Sequence, residues 1–344
     1  MKIAITGHAG YLGPALIHEL EAAGHQLTGF DSGFFADCVL GDEQPPVIDE
    51  VTIDVRDITA GHLDGFDAVI HYAALSNDPL GDLRPGVTEQ INGEGTLTVA
   101  RAARQAGVPR FVQSSSCSLY GAHGDAPIDE SAEFLPVTPY GRSKVDAELG
   151  LLELASDSFS PVFLRNATAY GWSPRLRGDL VVNNLTGYAI TTGEVFMKSD
   201  GTPWRPLVHT ADIAQAMRLA VEAPRELVHT EAFNVGASAE NYQIRDVARI
   251  VEEVVEGSVI ALADSAGPDL RNYRVNCDKL ADRLGFEAQW TVRAGAEDLA
   301  QKFRAIGLTK ELLEGSTYQR VARIKELLAA GSLDEDLRFG ARAA

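Results

Sequence analysis

The sequence predicts an α/β protein whose core is a doubly wound parallel sheet. Two observations lead to this prediction. Over the first half of the 344-residue chain, short apolar runs alternate with amphipathic stretches, which is the pattern of a parallel sheet covered by helices on both faces. A glycine-rich turn, Gly7–Gly13, follows the first apolar run directly and opens the first amphipathic stretch. A strand, such a turn and a helix in succession are typical of a Rossmann-type fold.

The elements of this sheet can be placed in order along the chain. The predicted strands are short and rich in β-branched or aromatic residues, and they are Ile3–Thr6, Gln26–Phe30, Val51–Ile53, Ala68–Tyr72, Phe111–Ser115 and Val162–Leu164. The predicted helices between them are Pro14–Ala23, Thr88–Ala106 and Tyr140–Leu154. Further helices are predicted at Asp212–Ala223, Gln243–Glu256 and Ser316–Leu328.

The chain changes character near Tyr170, where the alternation ends and Gly, Pro and Trp become frequent. We therefore expect residues 1–170 to form the Rossmann domain, with a return of the chain to it around 205–240. Residues 171–344 are expected to form mainly a smaller α/β substrate-binding lobe and a helical C-terminal tail.

Composition excludes several classes of protein. A formal net charge of −19 argues against nucleic acid and anionic membrane surfaces as partners. The three cysteines, Cys38, Cys117 and Cys277, are scattered and show no metal-ligand spacing, so we expect neither a disulfide framework nor a metal site. The sequence has neither a signal peptide nor a run of eighteen apolar residues. A cytoplasmic location is expected.

The glycines of the first turn each have a steric reason to be glycine. Gly7 permits the tight turn, Gly10 lets the backbone approach a pyrophosphate, and Gly13 lets the helix pack on its strand. The pyrophosphate then lies at the helix N-terminus, where free N–H groups point at it. Tyr11 and Leu12 therefore join the expected cofactor-binding residues.

Acidic residues follow the next two predicted strands. Asp31 lies 18 residues beyond Gly13, at the distance where an acid binds the ribose hydroxyls of a dinucleotide. Its carboxylate would repel a 2′-phosphate, and no Arg or Lys lies between Ser32 and Asp37, so NAD is favoured over NADP. The pair Asp54-Val55 is a candidate contact for the adenine.

Tyr140 and Lys144 lie four residues apart and share one face if the segment is helical. A nearby ammonium favours phenolate over phenol, so we expect Lys144 to lower the pKa of Tyr140. A tyrosine moved toward neutrality can act as a general base.

Taken together, these features resemble the extended short-chain dehydrogenase/reductase family, specifically its NAD-dependent nucleotide-sugar epimerases and dehydratases. The resemblance covers nearly the whole chain and rests on Gly7, Gly10, Gly13, Asp31, Asp54, His71–Ala74, Asn92, Ser114–Gly121, Tyr140, Lys144, Asn183–Leu185, Arg205 and Asp269. It implies NAD as the cofactor and adds Ala73, Ala74 and Asn92 to the residues that would bind it.

The resemblance also implies a chemistry. Tyr140, as phenolate, would remove the proton from the sugar C4 hydroxyl while hydride leaves C4 for the nicotinamide. Lys144 would bind the nicotinamide ribose, Ser116 would hold the C4 oxygen, and Ser118 would contact the sugar.

The residues after Ser116 favour one branch of that family. The 4,6-dehydratases carry an Asp-Glu pair at this place, where this chain has Cys117-Ser118. A 4-epimerase, acting through a transient 4-keto sugar, is the favoured reading. A C4 oxidoreductase that releases or reduces the keto sugar is equally consistent with these residues. A non-catalytic, NAD-binding regulator is a second alternative, although regulators of this superfamily generally lose the Tyr/Lys pair or the Ser.

The resemblance further implies a nucleotide-diphosphate sugar as substrate. The residues expected to bind it are Ser76, Ser118, Asn166, Thr168, Arg175, Arg177, Asn184, Leu185, Arg205, Asp269 and Arg271. No motif distinguishes the nucleotide base or the sugar. A homodimer formed by the helices Thr88–Ala106 and Tyr140–Leu154 is implied in the same way. The C-terminal tail, Tyr318–Phe339, resembles an extension in one bacterial subgroup and has no role assigned from sequence.

Overall fold

A computed structural model describes residues 1–76, 78–267 and 271–340. In chain order its strands are β1 (Lys2–Thr6), β2 (Gln26–Asp31), β3 (Asp49–Thr52), β4 (Ala68–His71), β5 (Arg110–Ser116), β6 (Ala122–Ile128), β7 (Ser160–Asn166), β8 (Thr168–Tyr170), β9 (Glu194–Ser199), β10 (Trp204–His209), β11 (Ala232–Val235), β12 (Asn241–Gln243), β13 (Val259–Gly267) and β14 (Asn272–Val275).

The helices alternate with these strands in the first half and cluster in the second. They are α1 (Gly13–Ala22), α2 (Asp78–Gly81), α3 (Pro85–Thr88), α4 (Gly95–Gln105), α5 (Pro139–Leu154), α6 (Val181–Thr192), α7 (Thr210–Glu222), α8 (Arg225–Val228), α9 (Ile244–Val254), α10 (Asp278–Leu284), α11 (Val292–Ala305), α12 (Lys310–Glu314) and α13 (Arg320–Ala329).

Seven of the strands form the central sheet in the order β3-β2-β1-β4-β5-β7-β11, and every neighbouring pair is parallel. The order runs outward in both directions from β1 and β4, which is the doubly wound arrangement. The predicted fold class is confirmed, because each of the six predicted strands lies in this sheet. The carboxyl ends of β1, β2, β4, β5 and β7 therefore meet along one edge.

Apolar side chains fill both faces of the sheet. On one face, Ile3 and Val162 pack with Leu16 of α1 and Met217 of α7. On the other, Phe111 packs with side chains of α4 and α5. A strand buried on both faces needs a continuous apolar run, which explains the runs Ile3–Ile5 in β1, Ala68–Ile70 in β4 and Val162–Leu164 in β7.

The second half of the chain contributes to both parts of the molecule. Strand β11 pairs with β7 at one edge of the central sheet, and α7 packs on α1. The remaining strands make a three-stranded sheet, β12-β10-β8, and the two-stranded pairs β13-β9 and β14-β6. Helices α6, α9 and α11 pack on one another around a separate apolar cluster. This is the smaller α/β lobe. Its assignment to substrate stays a prediction.

The helix predicted at Thr88–Ala106 differs in form. The predicted range begins at Thr88, the last residue of the short helix α3. It continues as a π-helical turn, Glu89–Glu94, and only Gly95–Gln105 is regular α-helix. The wider turn contains Asn92, whose side chain accepts from the backbone N–H of Leu75 at 2.8 Å and donates to the backbone oxygen of Leu75 at 3.2 Å. Turns of this kind are often found at functional sites.

Buried His71 gives the fold a pH dependence. Its Nδ1 lies 2.7 Å from the Thr6 hydroxyl and its Nε2 lies 2.9 Å from that of Thr96. Burial, with the nearby charge of Lys144, lowers the pKa of His71 from 6.5 to about 3. Between those values the unfolded chain binds a proton that the folded chain does not, so stability falls as the pH drops below 6.5.

We expect this one histidine to contribute a slope of up to about 1.4 kcal/mol per pH unit in the free energy of unfolding. Urea titrations between pH 7 and pH 5 measure that slope. In the variant His71→Gln the slope should be shallower. An identical slope in the variant and the parent would contradict the assignment.

Candidate active site

A cavity of about 930 Å³ opens at the carboxyl ends of the parallel strands. This is where ligands bind in open α/β sheets. Of the predicted site residues, those in its wall are Gly7, Gly10, Tyr11, Leu12, Asp31, Asp54, Val55, Ala73, Ala74, Ser76, Ser116, Ser118, Tyr140, Lys144, Asn166, Thr168, Arg177, Asn184, Leu185, Arg205 and Arg271. Gly13, Asn92 and Arg175 do not line it, and Asp269 lies outside the described residues.

The glycine-rich turn has no room for a side chain at Gly7 or at Gly13. Gly7 has a φ of +75°, and a Cβ there would lie 2.6 Å from the backbone nitrogen of Ala73. A Cβ on Gly13 would lie 1.7 Å from the backbone oxygen of His8. At Gly10 the only atom within 4 Å of an added Cβ, among the described residues, is the backbone oxygen of Gly7. The turn is tight and open toward the cavity at Gly10, so it fits a dinucleotide pyrophosphate.

Asp31 is held in place at the end of β2 by two backbone N–H groups. Gly33 donates to its carboxylate at 2.8 Å and Ala9 donates at 3.3 Å. Burial raises its pKa, while these amides and the charges of His8 and Arg175 oppose that rise. The sequence analysis did not predict that His8 and Arg175 lie near Asp31. Arg175 is 144 positions away from Asp31 in the chain.

Asp54 lies in the cavity wall, but its carboxylate already has a partner. Arg56 donates to Asp54 from its backbone nitrogen at 2.9 Å and from its guanidinium at 2.9 and 2.6 Å. Burial raises the pKa of Asp54, but the hydrogen bonds and charge of Arg56 outweigh burial and lower it. An adenine amino group would have to share this carboxylate with Arg56.

Helix α5 brings Tyr140 and Lys144 to the cavity. The helix begins after Thr138, whose hydroxyl accepts from the backbone N–H of Gly141 at 3.1 Å, and Pro139 occupies its first position. Lys144 is buried, and its Nζ donates to the backbone oxygen of Ser114 at 2.8 Å. It lies 5.7 Å from the centre of the Tyr140 ring. Burial lowers the pKa of Lys144 to about 8.

Ser116, at the end of β5, completes this group. Its hydroxyl donates to the Ser118 hydroxyl at 3.1 Å and accepts from the backbone N–H of Ser118 at 3.1 Å, and it is near enough to Tyr140 to influence the pKa of the phenol. The strand β5 and the helix α5 thus bring together three side chains that are far apart in sequence.

The pKa of Tyr140 differs from the sequence expectation. Burial raises it to about 12, and the strongest opposing influence is that of the nearby Ser116 side chain, followed at longer range by the charge of Arg177. The expected net lowering by Lys144 is not found. The physical reason is that the hydroxyl is enclosed, while the ammonium of Lys144 is directed at Ser114.

Asn166 and Arg177 both line the cavity, but they differ in how fully their polar atoms are hydrogen-bonded. Asn166 donates to the Ser114 hydroxyl at 3.0 Å, and its buried Oδ1 has no partner among the described residues. Arg177 forms two hydrogen bonds with Asp179, at 3.1 and 2.6 Å, and donates to the backbone oxygen of Ser76 at 2.5 Å. Arg177 is therefore already neutralised.

An acidic residue that the sequence did not single out faces Tyr140. Asp78 accepts from the Thr138 hydroxyl at 2.6 Å and forms an ion pair with Arg271. The backbone oxygen of Arg271 in turn accepts from Arg205. Asp78 raises the pKa of Tyr140. Only its place after the fourth strand could have suggested it.

Arg175 and Asn92 act away from the cavity surface. Arg175 donates to the backbone oxygens of Phe35 and Ala36 at 2.9 and 3.1 Å, so it supports the loop after Asp31 rather than the substrate end. Asn92 joins Leu75 to α5 by a further bond to the Ser143 hydroxyl at 3.2 Å. Within the described residues there is no group of side chains arranged to hold a metal ion, and no helix is long and apolar enough to cross a membrane.

Known proteins similar to this chain include several epimerases. A UDP-glucose 4-epimerase of Rhizobium meliloti is 28% identical over 319 residues, covering 86% of this chain and 95% of that protein. A UDP-glucose 4-epimerase of Bacillus subtilis is 26% identical over 322 residues, covering 84% of this chain and 93% of that protein.

Solved structures are similar over the same length. MoeE5, solved with UDP-glucose and NAD, has a TM-score of 0.76 at 26% identity and covers 89% of this chain and 99% of that one. The model of the NAD dependent epimerase/dehydratase family matches residues 3–236, which include the whole central sheet, the glycine-rich turn and the group formed by Ser116, Tyr140 and Lys144. The chain therefore belongs to the NAD dependent epimerase/dehydratase family, and its cofactor is NAD.

Proposed function

We propose that this protein is an NAD-dependent nucleotide-sugar 4-epimerase that acts through a transient 4-keto sugar. The observation that carries the proposal is the position of Ser116, Tyr140 and Lys144 in the wall of the same cavity as the glycine-rich turn. A hydride acceptor held by the turn would lie beside a proton acceptor. Proximity of the two is what oxidation of a secondary alcohol requires.

The proposed roles follow from the contacts of each side chain. Tyr140 takes the proton of the C4 hydroxyl and later returns it. Ser116, which lies near Tyr140 in the cavity wall, orients the C4 oxygen. Lys144 binds the nicotinamide ribose and adds positive charge near the phenol. Bound NAD supplies the acceptor and then the donor of the C4 hydride, together with a positive charge in its oxidised form.

The substrate end of the cavity is proposed to hold the sugar and its diphosphate. The unpartnered Oδ1 of Asn166 is a free acceptor for a sugar hydroxyl. Arg205 and Arg271 are proposed for the diphosphate, and the remaining contacts come from Ser76, Ser118, Thr168, Asn184 and Leu185. We propose the smaller lobe as the part that selects the nucleotide.

The proposal extends to assembly and location. Leu149 and Leu152 of α5 are 49% and 42% exposed, and an apolar surface on α5, beside α4, supports a homodimer formed through these two helices. Cys38, Cys117 and Cys277 are all buried and unpaired, which suits the reducing cytoplasm.

A substrate panel tests the function. The names of the relatives make UDP-glucose and UDP-galactose the first pair to incubate with the protein and NAD. We follow reduced cofactor by absorbance and products by NMR. Interconversion at C4 without net reduced cofactor supports the epimerase. Stoichiometric reduced cofactor with a 4-keto product would support a C4 oxidoreductase instead, and loss of water would contradict both.

Asp31 is expected to decide the choice between NAD and NADP. The variant Asp31→Ser should bind NAD about tenfold more weakly and lose most of its preference over NADP, because the carboxylate both binds ribose hydroxyls and repels a 2′-phosphate. Calorimetric dissociation constants for the two cofactors measure this ratio. The exposed Asp42→Ser is the matched control. An unchanged ratio in Asp31→Ser would remove Asp31 from the cofactor site.

A further inference from the structure

The C-terminal tail, Tyr318–Phe339, lies across the end of the cavity that Asp31 and Asp54 mark. Its apolar side chains, among them Ile324 and Leu337, are buried in the same cluster as Phe30 and Val55. The tail is thus part of the sheet domain's packing, although it follows the smaller lobe in sequence.

Polar contacts join the tail to the two segments that follow β2 and β3. Arg323 pairs with Asp37 at 2.7 Å. Arg338 pairs with Asp57 at 2.5 Å, and Arg56 donates to the backbone oxygen of Asp336 at 2.9 Å. The segments held in this way are the ones predicted to bind the adenosine half of NAD.

One charged side chain of the tail reaches the cavity wall. Arg320, the first residue of α13, is only 3% exposed and lines the cavity. Its guanidinium stacks 4.5 Å from the centre of the Phe35 ring, and its Nη2 donates to the backbone oxygen of Arg175 at 2.7 Å. Arg320 has no ion pair among the described residues, and its Nη1 has no hydrogen-bond partner there.

The position of Arg320 is close to the glycine-rich turn. Arg320 is bonded to Arg175, whose backbone N–H donates to the Ser173 hydroxyl at 3.2 Å. That hydroxyl donates to the backbone oxygen of Tyr11 at 3.0 Å. The guanidinium therefore lies between the turn that faces a pyrophosphate and the loop, containing Phe35, that follows the ribose-binding Asp31.

A buried cation that forms no ion pair is costly. Arg320 forms none among the described residues, and burial lowers its pKa to about 10, although the charge of Asp179 opposes that fall at longer range. The cost is recovered when an anion binds beside it, and planar guanidinium groups suit phosphate oxygens. The substrate diphosphate is the other anion of this cavity, and Arg205 and Arg271 are the residues proposed for it.

We propose that Arg320 is a cofactor-binding residue that contacts the diphosphate of NAD, and that the C-terminal tail is a part of the dinucleotide site. The proposal rests on NAD binding in this cavity and is independent of the fate of the 4-keto sugar. The tail contributes Gln319, Arg320 and Val321 to the cavity wall.

Binding measurements on the full chain, freed of co-purified nucleotide, test the proposal. In Arg320→Gln the dissociation constants of NAD and ADP-ribose should rise about tenfold, because a charge-assisted hydrogen bond is lost. The dissociation constant of UDP should change less than twofold. Arg320→Lys, which keeps the charge, should recover most of the NAD affinity.

The exposed Lys325→Gln removes the same charge from the same helix and is the matched control. Unchanged NAD and ADP-ribose affinities in Arg320→Gln, or a loss confined to UDP, would overturn the proposal. Hydrogen exchange on the unmodified protein provides a second measurement that does not depend on a variant folding. NAD should slow exchange of the α13 amides more than UDP does, and equal protection by both would contradict the assignment. Failure of epimerisation alone would alter none of these results.

Discussion

Replacing Tyr140 with Phe is expected to lower the turnover number at least about a hundredfold, with NAD binding unchanged within about twofold. The phenol oxygen is the proposed proton acceptor, and a positioned general base contributes on the order of 10²–10⁴ in rate. Steady-state rates on the active sugar pair, with NAD affinity measured separately, test both parts.

Tyr188→Phe is the matched control for this change. Tyr188 carries the same phenol and donates to Glu314 at 2.7 Å on the outside of the molecule, so its loss should leave turnover within about twofold. If Tyr140→Phe turns over every accepted sugar at the parent rate, Tyr140 is not the base.

Breaking the buried ion pair behind the active site should have the largest effect on stability. Glu148 of α5 and Arg165 of β7 are joined by hydrogen bonds of 2.7 to 3.2 Å, with both side chains almost fully buried. Ser115 also donates to Glu148, and Arg165 donates to the Tyr120 hydroxyl at 2.9 Å. Removing either charge leaves the other buried without its counter-charge.

We expect Arg165→Met to lower the free energy of unfolding by about 3–5 kcal/mol, measured by urea denaturation at pH 7. Arg249→Met, which breaks an exposed pair with Asp246, should cost less than about 1 kcal/mol. The double variant Glu148→Leu with Arg165→Met should be more stable than Arg165→Met alone, because the unpaired carboxylate is gone. Equal losses for Arg165→Met and Arg249→Met would show that the buried pair contributes little.

The two predictions also distinguish a residue that takes part in the chemistry from residues that stabilise the fold. Ser115 and Ser116 are neighbours on β5, yet Ser115 donates to Glu148 of the buried ion pair, whereas Ser116 lies near Tyr140 in the cavity wall. Loss of the ion pair should therefore lower stability first and turnover only through displaced strand ends.

Local patterns explain how much of the fold was predictable. The strands of the central sheet are short apolar runs, and burial on both faces permits nothing else. The glycine-rich turn is predictable because steric restrictions act within seven residues. The Tyr140–Lys144 pair is predictable because one helical turn brings the two side chains together. Interactions between residues this close in the chain can be recognised from sequence patterns.

Residues beyond that range were missed or misjudged. Asp78 meets Arg271 across 193 positions and Thr138 across 60, so neither spacing suggested that it faces Tyr140. Arg177 lines the cavity as expected and is also paired with Asp179, which the sequence analysis did not foresee; its contact with substrate stays a prediction. Arg175 was expected in the cavity and instead supports the loop after Asp31.

By itself, the sequence determined the doubly wound sheet. Sterics and spacing over short stretches of chain predicted the dinucleotide turn, the acid for the ribose and the Tyr140–Lys144 pair, whereas Ser116 was predicted from the resemblance to a family. Only the tertiary structure decided the protonation of Tyr140 and the place of Arg320. Both depend on burial, and burial is produced by elements that are remote in sequence and meet only when the chain is folded. The turn and the helix that carry the predicted site residues can be recognised from local sequence, whereas the electrostatics of the cavity depend on the assembled fold.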